Sequence, residues 1–270
     1  MRVHVLQLAY PDDEPVAERV ARAAALVAAQ SGADLVVLPE LWAPTGFGYQ
    51  GWSEAAEPVE GPTVTAICRA AQEIGAYVHA GSIIERAAEG ADRGPQGRGL
   101  WNTSVLIDRD GLPMVSYRKV HRFGFSAGEP DLIEAGTELV TAGLQTGSGH
   151  VTAGLATCYD LRFPELFRNL SAAGAELFVV PAAWPAARVE HWRVLGRARA
   201  IENQAIVIQC NTAGTHAGVR MGGHSQVVSA TGEVLAEAGP DDETVLVADV
   251  DLEAAAQYRQ KFPVLADRRL

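Results

Sequence analysis

Thr157-Cys158-Tyr159-Asp160-Leu161-Arg162-Phe163-Pro164-Glu165 joins two different patterns. Ahead of it, Val151 to Ala156 is a run of small and apolar residues that reads as a buried strand. Behind it, Phe163-Pro164-Glu165-Leu166-Phe167 opens a helical pattern, with proline where a first helical turn tolerates it. Cys158 therefore falls at a strand-to-helix corner, near unpaired backbone N–H groups and the positive end of a helix dipole. Such a corner is expected to lower a thiol pKa and to offer donors to a developing oxyanion. A lone free cysteine is more often a small buried hydrophobe. The corner by itself leaves both readings open.

Working outward, the same strand-then-turn grammar recurs. Asp34-Leu35-Val36-Val37-Leu38 is a continuous apolar run, the mark of a strand covered on both faces, and it ends in Pro39-Glu40. Val3 to Ala9 reads as a strand, and Asp12 and Asp13 as caps of the helix that follows, stopping at Ser31-Gly32. Thr63 to Ile74 is helical and Tyr77 to Ile84 extended. Trp101 to Asp108 and Leu112 to Lys119 form a hairpin around Asp110-Gly111. Residues 41–61 and His121 to Gly136 are loops. Further strands are expected near Glu138 to Leu144, Leu177 to Val180 and Ala205 to Asn211, with a long helix over Arg188 to Gln204. Three final strands, ending at Asp249, read as a meander before a last helix near Asp251. Alternating strands and helices with added hairpins give an α/β fold of mixed sheet content. No repeat or linker divides the chain, so residues 1–270 read as one domain.

Composition removes several classes. The net charge of −11 disfavours nucleic acid and anionic membranes as partners. Three widely spaced cysteines do not make a disulfide framework and suit a reducing, cytoplasmic compartment. Met1 to Gln7 reads as a strand and not as a secretory leader, so the sequon Asn102-Thr103-Ser104 carries no weight. No apolar run reaches the ~20 residues of a membrane helix. Gly46-Phe47-Gly48-Tyr49-Gln50-Gly51 spells GxGxxG, but it neither follows a strand directly nor opens a helix, which removes a dinucleotide. There is no HExxH and no paired CxxC, so neither metal nor cofactor is expected.

Glu40, Lys119 and Cys158 each stand where a strand enters a loop, the position at which α/β proteins gather reactive side chains. Taken singly, Glu40 and Lys119 would be exposed charges. The ordered runs around them are LPELW (38–42), WNTSVLIDRDG (101–111), YRKVH (117–121) and CYDLRFPEL (158–166). VVPAAWP (179–185), HWRVLGRARAIENQ (191–204), NTAG (211–214) and GHSQVVSATGEVL (223–235) complete the series.

With these motifs the chain resembles the nitrilase superfamily of carbon–nitrogen hydrolases along nearly its whole length. The resemblance implies a four-layer α-β-β-α sandwich with two mixed β-sheets, and protomers that associate as dimers or larger homo-oligomers. It implies a catalytic Glu40, Lys119 and Cys158, with Glu129 as a second glutamate and Glu134 as its lower-ranked rival. Cys158 would attack a carbonyl or nitrile carbon, and Glu40 would take the thiol proton. Lys119, with the Tyr159 backbone N–H, would hold the oxyanion. Trp184 would wall the pocket. Arg162 would bind a substrate carboxylate or, the favoured reading, pair with Asp160 or a glutamate. His121, two residues from Lys119, would lie on the opposite strand face. Cys68 and Cys210 would pack. His191, His224 and the 43–60 loop stay unassigned, and Arg122 stands where the family usually has an apolar residue. CYDLRFPEL is more similar to small amidases of the omega-amidase type than to true nitrilases. The expected reaction is hydrolysis of a small-molecule amide through a thioester. An N-carbamoyl amino acid hydrolase, a nitrilase and acyl transfer to an acceptor other than water are the alternatives.

Overall fold

The computed structural model describes residues 1–125 and 127–269. The chain runs β1 (Arg2–Gln7), α1 (Val16–Ala28), β2 (Leu35–Val37), α2 (Trp52–Ala55), α3 (Pro62–Ile74), β3 (Tyr77–Arg86), β4 (Leu100–Ile107) and β5 (Pro113–Arg118). It continues through α4 (Glu129–Leu132), β6 (Thr141–Thr146), β7 (Gly149–Leu155), α5 (Pro164–Ala172), β8 (Leu177–Pro181), α6 (Val189–Asn203) and β9 (Ile206–Cys210). A small hairpin, β10 (Thr215–His216) and β11 (Val219–Arg220), precedes β12 (Gln226–Val228), β13 (Val234–Glu237), β14 (Thr244–Asp249) and α7 (Leu252–Lys261).

Two six-stranded sheets carry the fold, in the orders β14-β1-β2-β3-β4-β5 and β13-β12-β9-β8-β7-β6. Each has a parallel trio at its centre, β1-β2-β3 in one and β7-β8-β9 in the other, with antiparallel strands outside. The period-2 geometry of strands sorts the side chains into layers. Leu35 and Val37 face the second sheet, where Leu177, Val179, Ile206 and Ile208 meet them. The alternate residues Val36 and Leu38 face α1 and α3 through Ala23, Val27, Val64 and Ile67. On the far side, Phe178, Val180 and Val207 face α5 and α6 through Phe167, Leu170, Trp192 and Ala200. The order is helices, sheet, sheet, helices, as the resemblance implies.

Three expectations are corrected. α1 begins at Val16 behind Pro15, with no side-chain cap. A residue before proline is held out of the helical region, so Asp12 and Asp13 lie too early; Asp12 instead accepts the Ala217 N–H at 2.9 Å. The last three strands are not one meander. β12 pairs with β13, but β14 crosses to the first sheet and pairs with β1 from Arg2↔Asp249 to Gln7↔Thr244. There it closes an open strand edge and buries Ala248 in the inter-sheet core. The 41–61 loop also contains helical turns at Tyr49–Gly51 and α2, where Trp52 is buried and donates to the Thr45 carbonyl.

Because β2, β3, β5, β7, β8 and β9 end at one edge of the double sheet, the loops behind them converge. Gly81 makes room for the first of these. Its φ is +70°, and a Cβ there would strike the Pro39 carbonyl. Leu41 N donates to Ser82 Oγ and the Trp42 indole to the Ala80 carbonyl, which fixes the turn that carries Glu40.

Candidate active site

Glu40, Lys119, Glu129 and Cys158 come together at that edge, all buried. Glu40 lies just past β2. Its Oε1 accepts Lys119 Nζ at 2.8 Å and Asn102 Nδ2 at 2.8 Å, and its Oε2 accepts the Ala183 N–H at 2.9 Å. Lys119 follows β5 and is held by its N–H on the Asn102 carbonyl. Its ammonium also reaches Glu129 Oε1 at 2.9 Å. Glu129 opens α4, and its Oε2 accepts the Phe123 N–H at 2.6 Å. Cys158 follows β7 as the first residue of a 3-10 turn, Cys158–Arg162, and has φ +47°. Its thiol lines the same pocket as Glu40. A non-glycine residue held in the left-handed region needs surrounding support. Asp160 supplies it: its carboxylate accepts the Thr157 N–H, the Tyr117 hydroxyl, the His121 N–H and a contact from His121 Nδ1 at 2.7 Å.

Electrostatics differ from the sequence expectation at one point. Burial, then the Glu40 charge, pushes the Cys158 thiol well above its ordinary range instead of lowering it. The turn after β7 is a 3-10 turn, and the α-helix proper starts only at Pro164, so the helix dipole is too distant to oppose desolvation. Burial would push the Lys119 ammonium down, but Glu129 and Glu40 outweigh it and hold it well above its ordinary range. Burial raises Glu129, opposed by Lys119 and helped by Glu40. Burial, then Glu129, lifts Tyr49 to about 12. At neutral pH the site holds a protonated thiol and a protonated lysine.

These groups open into a small pocket. Phe47, Tyr49, Phe123, Tyr159 and Trp184 make its apolar walls. Trp184 is anchored by its N–H on Asn211 Oδ1 at 2.7 Å and its indole on the Arg188 carbonyl at 2.8 Å. Tyr159, early in its turn, presents an N–H with no acceptor inside that turn. Arg162 and Arg188, both half-buried, line the pocket as well.

Several secondary expectations change. Arg162 pairs with neither Asp160 nor a glutamate among the described residues, because Asp160 is saturated by its own donors. It lies 4.6 Å over the Trp184 ring and 3.2 Å from His191 Nδ1. β5 stops at Arg118, so the opposite-face argument for His121 fails; the ring turns to Asp160 and stacks on Phe163. Glu134 is buried but apart from the cluster, pinning the 87–99 loop through the Gln96 and Arg98 N–H groups. Arg122 donates to the Ile133 carbonyl at 2.8 Å, which accounts for a cation at that position. His224 meets Glu237 at 2.7 Å. Cys210 is buried and Cys68 half-buried. Sequence reasoning missed Asn102, Asp160 as an anchor, and Arg188. No cluster of potential metal ligands occurs among the described residues.

The sequence profile of the family described as carbon-nitrogen hydrolase matches residues 2–260. The chain belongs to the carbon–nitrogen hydrolase family. This hydrolase is 45% identical over 269 residues to a 2-oxoglutaramate amidase of Paenarthrobacter nicotinovorans, covering 99% of this chain and 89% of that protein. It is 36% identical over 268 residues to an omega-amidase of Xenopus tropicalis, covering 93% and 90%. Among solved structures, a CN-hydrolase superfamily protein of Xanthomonas campestris superposes with a TM-score of 0.87 at 29% identity, covering 100% and 97%. A mutant amidase of Nesterenkonia sp. AN1, with the acetamide moiety of fluoroacetamide added covalently at its active-site cysteine, has a TM-score of 0.77 at 27% identity, covering 100% and 97%.

Proposed function

We propose that the hydrolase cleaves the terminal amide of a small acid that carries a free carboxylate at its other end, releasing ammonia. Amide hydrolysis follows from the family and from its amidase relatives. The carboxylate follows from one observation: Arg162 and Arg188 line the pocket of Cys158, and neither meets a carboxylate among the described residues. Burial, then Arg188, pushes the Arg162 guanidinium down, as expected of a half-buried cation beside a second cation. Planar guanidinium groups suit a carboxylate. The 2-oxoglutaramate amidase relative has this class of substrate in its name.

In this reading the arginines hold the carboxylate and the amide lies against Cys158. Sγ bonds to the amide carbon as Glu40 takes the thiol proton. The oxyanion forms against the Lys119 ammonium and the Tyr159 N–H. The C–N bond then breaks, Glu40 protonates the departing nitrogen, and ammonia leaves a Cys158 thioester. Glu40 takes a proton from water, which adds to the thioester carbon. The C–S bond breaks, the acid leaves and the thiol is restored. Glu129 orients Lys119 throughout.

Ammonia release from ω-amides of dicarboxylic acids, compared with neutral amides of the same length, tests the substrate class. The acids should be preferred by about 100-fold in kcat/KM, and Arg188→Gln should remove most of the preference through KM. Equal rates on neutral amides would end the reading.

A further inference from the structure

Asn102 lies near the start of β4 and is 1% exposed. Its Nδ2 donates to Glu40 Oε1 at 2.8 Å and to Glu129 Oε1 at 3.2 Å. Lys119 Nζ donates to the same two oxygens at 2.8 and 2.9 Å. Two carboxylates, one ammonium and one amide thus close a ring. Both neighbours of the amide accept, so its nitrogen, not its oxygen, faces them. Oδ1 has no hydrogen-bond partner among the described residues. A buried unpaired carbonyl is unfavourable, so packing is a poor reason for an asparagine where a leucine would fill the same shape.

Charge supplies the reason. Two buried carboxylates share a single ammonium, and like charges that close drive one of the pair to take up a proton. Donors to the charged form oppose this. Glu40 has one private donor, the Ala183 N–H, and Glu129 has another, the Phe123 N–H. Among the described residues, Lys119 and Asn102 are the donors that the two have in common. We propose that Asn102 is a positioning residue, which holds Glu40 and Glu129 charged and correctly turned about the one lysine. The inference rests on the reading of Glu40 as the base. The other groups facing the pair are Lys119 from the end of β5, the Cys158 thiol and the Tyr49 hydroxyl, with Arg162 and Arg188 lining the same pocket.

The test compares the unsubstituted enzyme with Asn102→Leu, Asn102→Asp and Asn102→Ser. Two pH profiles are read: kcat/KM on the ω-amide, and the rate at which iodoacetamide alkylates Cys158. Asn102→Leu keeps the shape and loses the donor. It should lower kcat/KM about ten- to hundred-fold, the usual loss for donors to a charged group, and move the acid limb of both profiles up by roughly one pH unit. Asn102→Asp adds a third negative charge and should move the limb further, while Asn102→Ser, a shorter donor, should fall between. Acid limbs that coincide in all variants would overturn the proposal, however far the rates fall. If melting curves show Asn102→Leu unfolded, the Asp and Ser limbs decide alone. If the unsubstituted enzyme turns over no amide, the functional reading fails, and the alkylation profile still tests Asn102.

Discussion

A thiol held above its ordinary pKa beside a carboxylate gives up its proton during attack, not before it. With Glu40 as the proposed base, proton transfer to it and formation of the C–S bond would be one event, and Glu40 would limit the rate. Cys158→Ala should abolish ammonia release while leaving the melting temperature near that of the parent. Glu40→Gln keeps the shape but accepts no proton, and should slow thioester formation by about 10²- to 10⁴-fold. Mass spectrometry of the acylated protein under single turnover reads that step; an unchanged rate would remove Glu40 from the role of base. Glu40, Lys119 and Cys158 could be grouped in sequence because each stands at a strand end and because the family resemblance joins them. Asn102 could not. It sits inside a strand pattern, and period-2 reading assigns such a residue a face but no partner. A signal was present in Asn102-Thr103-Ser104, three polar residues in succession that are all buried. Arg188 was lost differently: it ends a short 3-10 turn, and its carbonyl is fixed by the Trp184 indole, a contact no local pattern announces.

At the scale of elements, the apolar runs identified buried strands well because β2, β8 and β9 are covered on both faces. Partners of edge strands were less legible, as β14 demonstrates. Its residues alternate between exposed and at least half-buried, and nothing local distinguishes pairing with β13 from pairing with β1. The β10–β11 hairpin shows how a small element is fastened. His216 stacks on Tyr10 with ring centres 3.8 Å apart, and the Arg19 guanidinium sits 3.8 Å over the same ring, so the two take opposite faces. Neither His216 nitrogen has a hydrogen-bond partner among the described residues. Burial, then Arg19, pushes its pKa down to about 4. An unfolded histidine titrates near 6.5. Between those values the unfolded chain holds a proton that the folded one lacks. The contribution is therefore complete above pH 6.5 and is lost as pH falls toward about 4. His79, depressed to about 3 by burial, acts in the same sense. His216→Phe keeps the stack and removes the titration. Its urea midpoint should fall less between about pH 7 and pH 4.5 than that of the parent. Parallel declines would show that the hairpin histidine contributes nothing to acid sensitivity.

For the molecule as a whole, the face shared by the two sheets decides both stability and chemistry. Glu40 and Lys119 hang from the first sheet, Cys158 and the Ala183 N–H from the second, so the cluster spans their interface. Cys210 crosses it too, with Sγ 3.3 Å from the Leu6 carbonyl and 3.4 Å from that of Val37. If the sheets could separate while each stayed folded, the site would be lost before either sheet was. The inter-sheet core makes that costly, because each sheet would expose a full apolar face to water. One cooperative transition is therefore expected, in which far-ultraviolet circular dichroism and loss of ammonia release coincide along a urea series. Ile208 is fully buried at the centre of that core. Truncating it to alanine should cost about 2–5 kcal/mol and move both probes to lower urea together, since neither sheet has a separate core facing the other. Activity lost at clearly lower urea than ellipticity would mean that the sheets part first, and that the site rests on an interface weaker than either sheet.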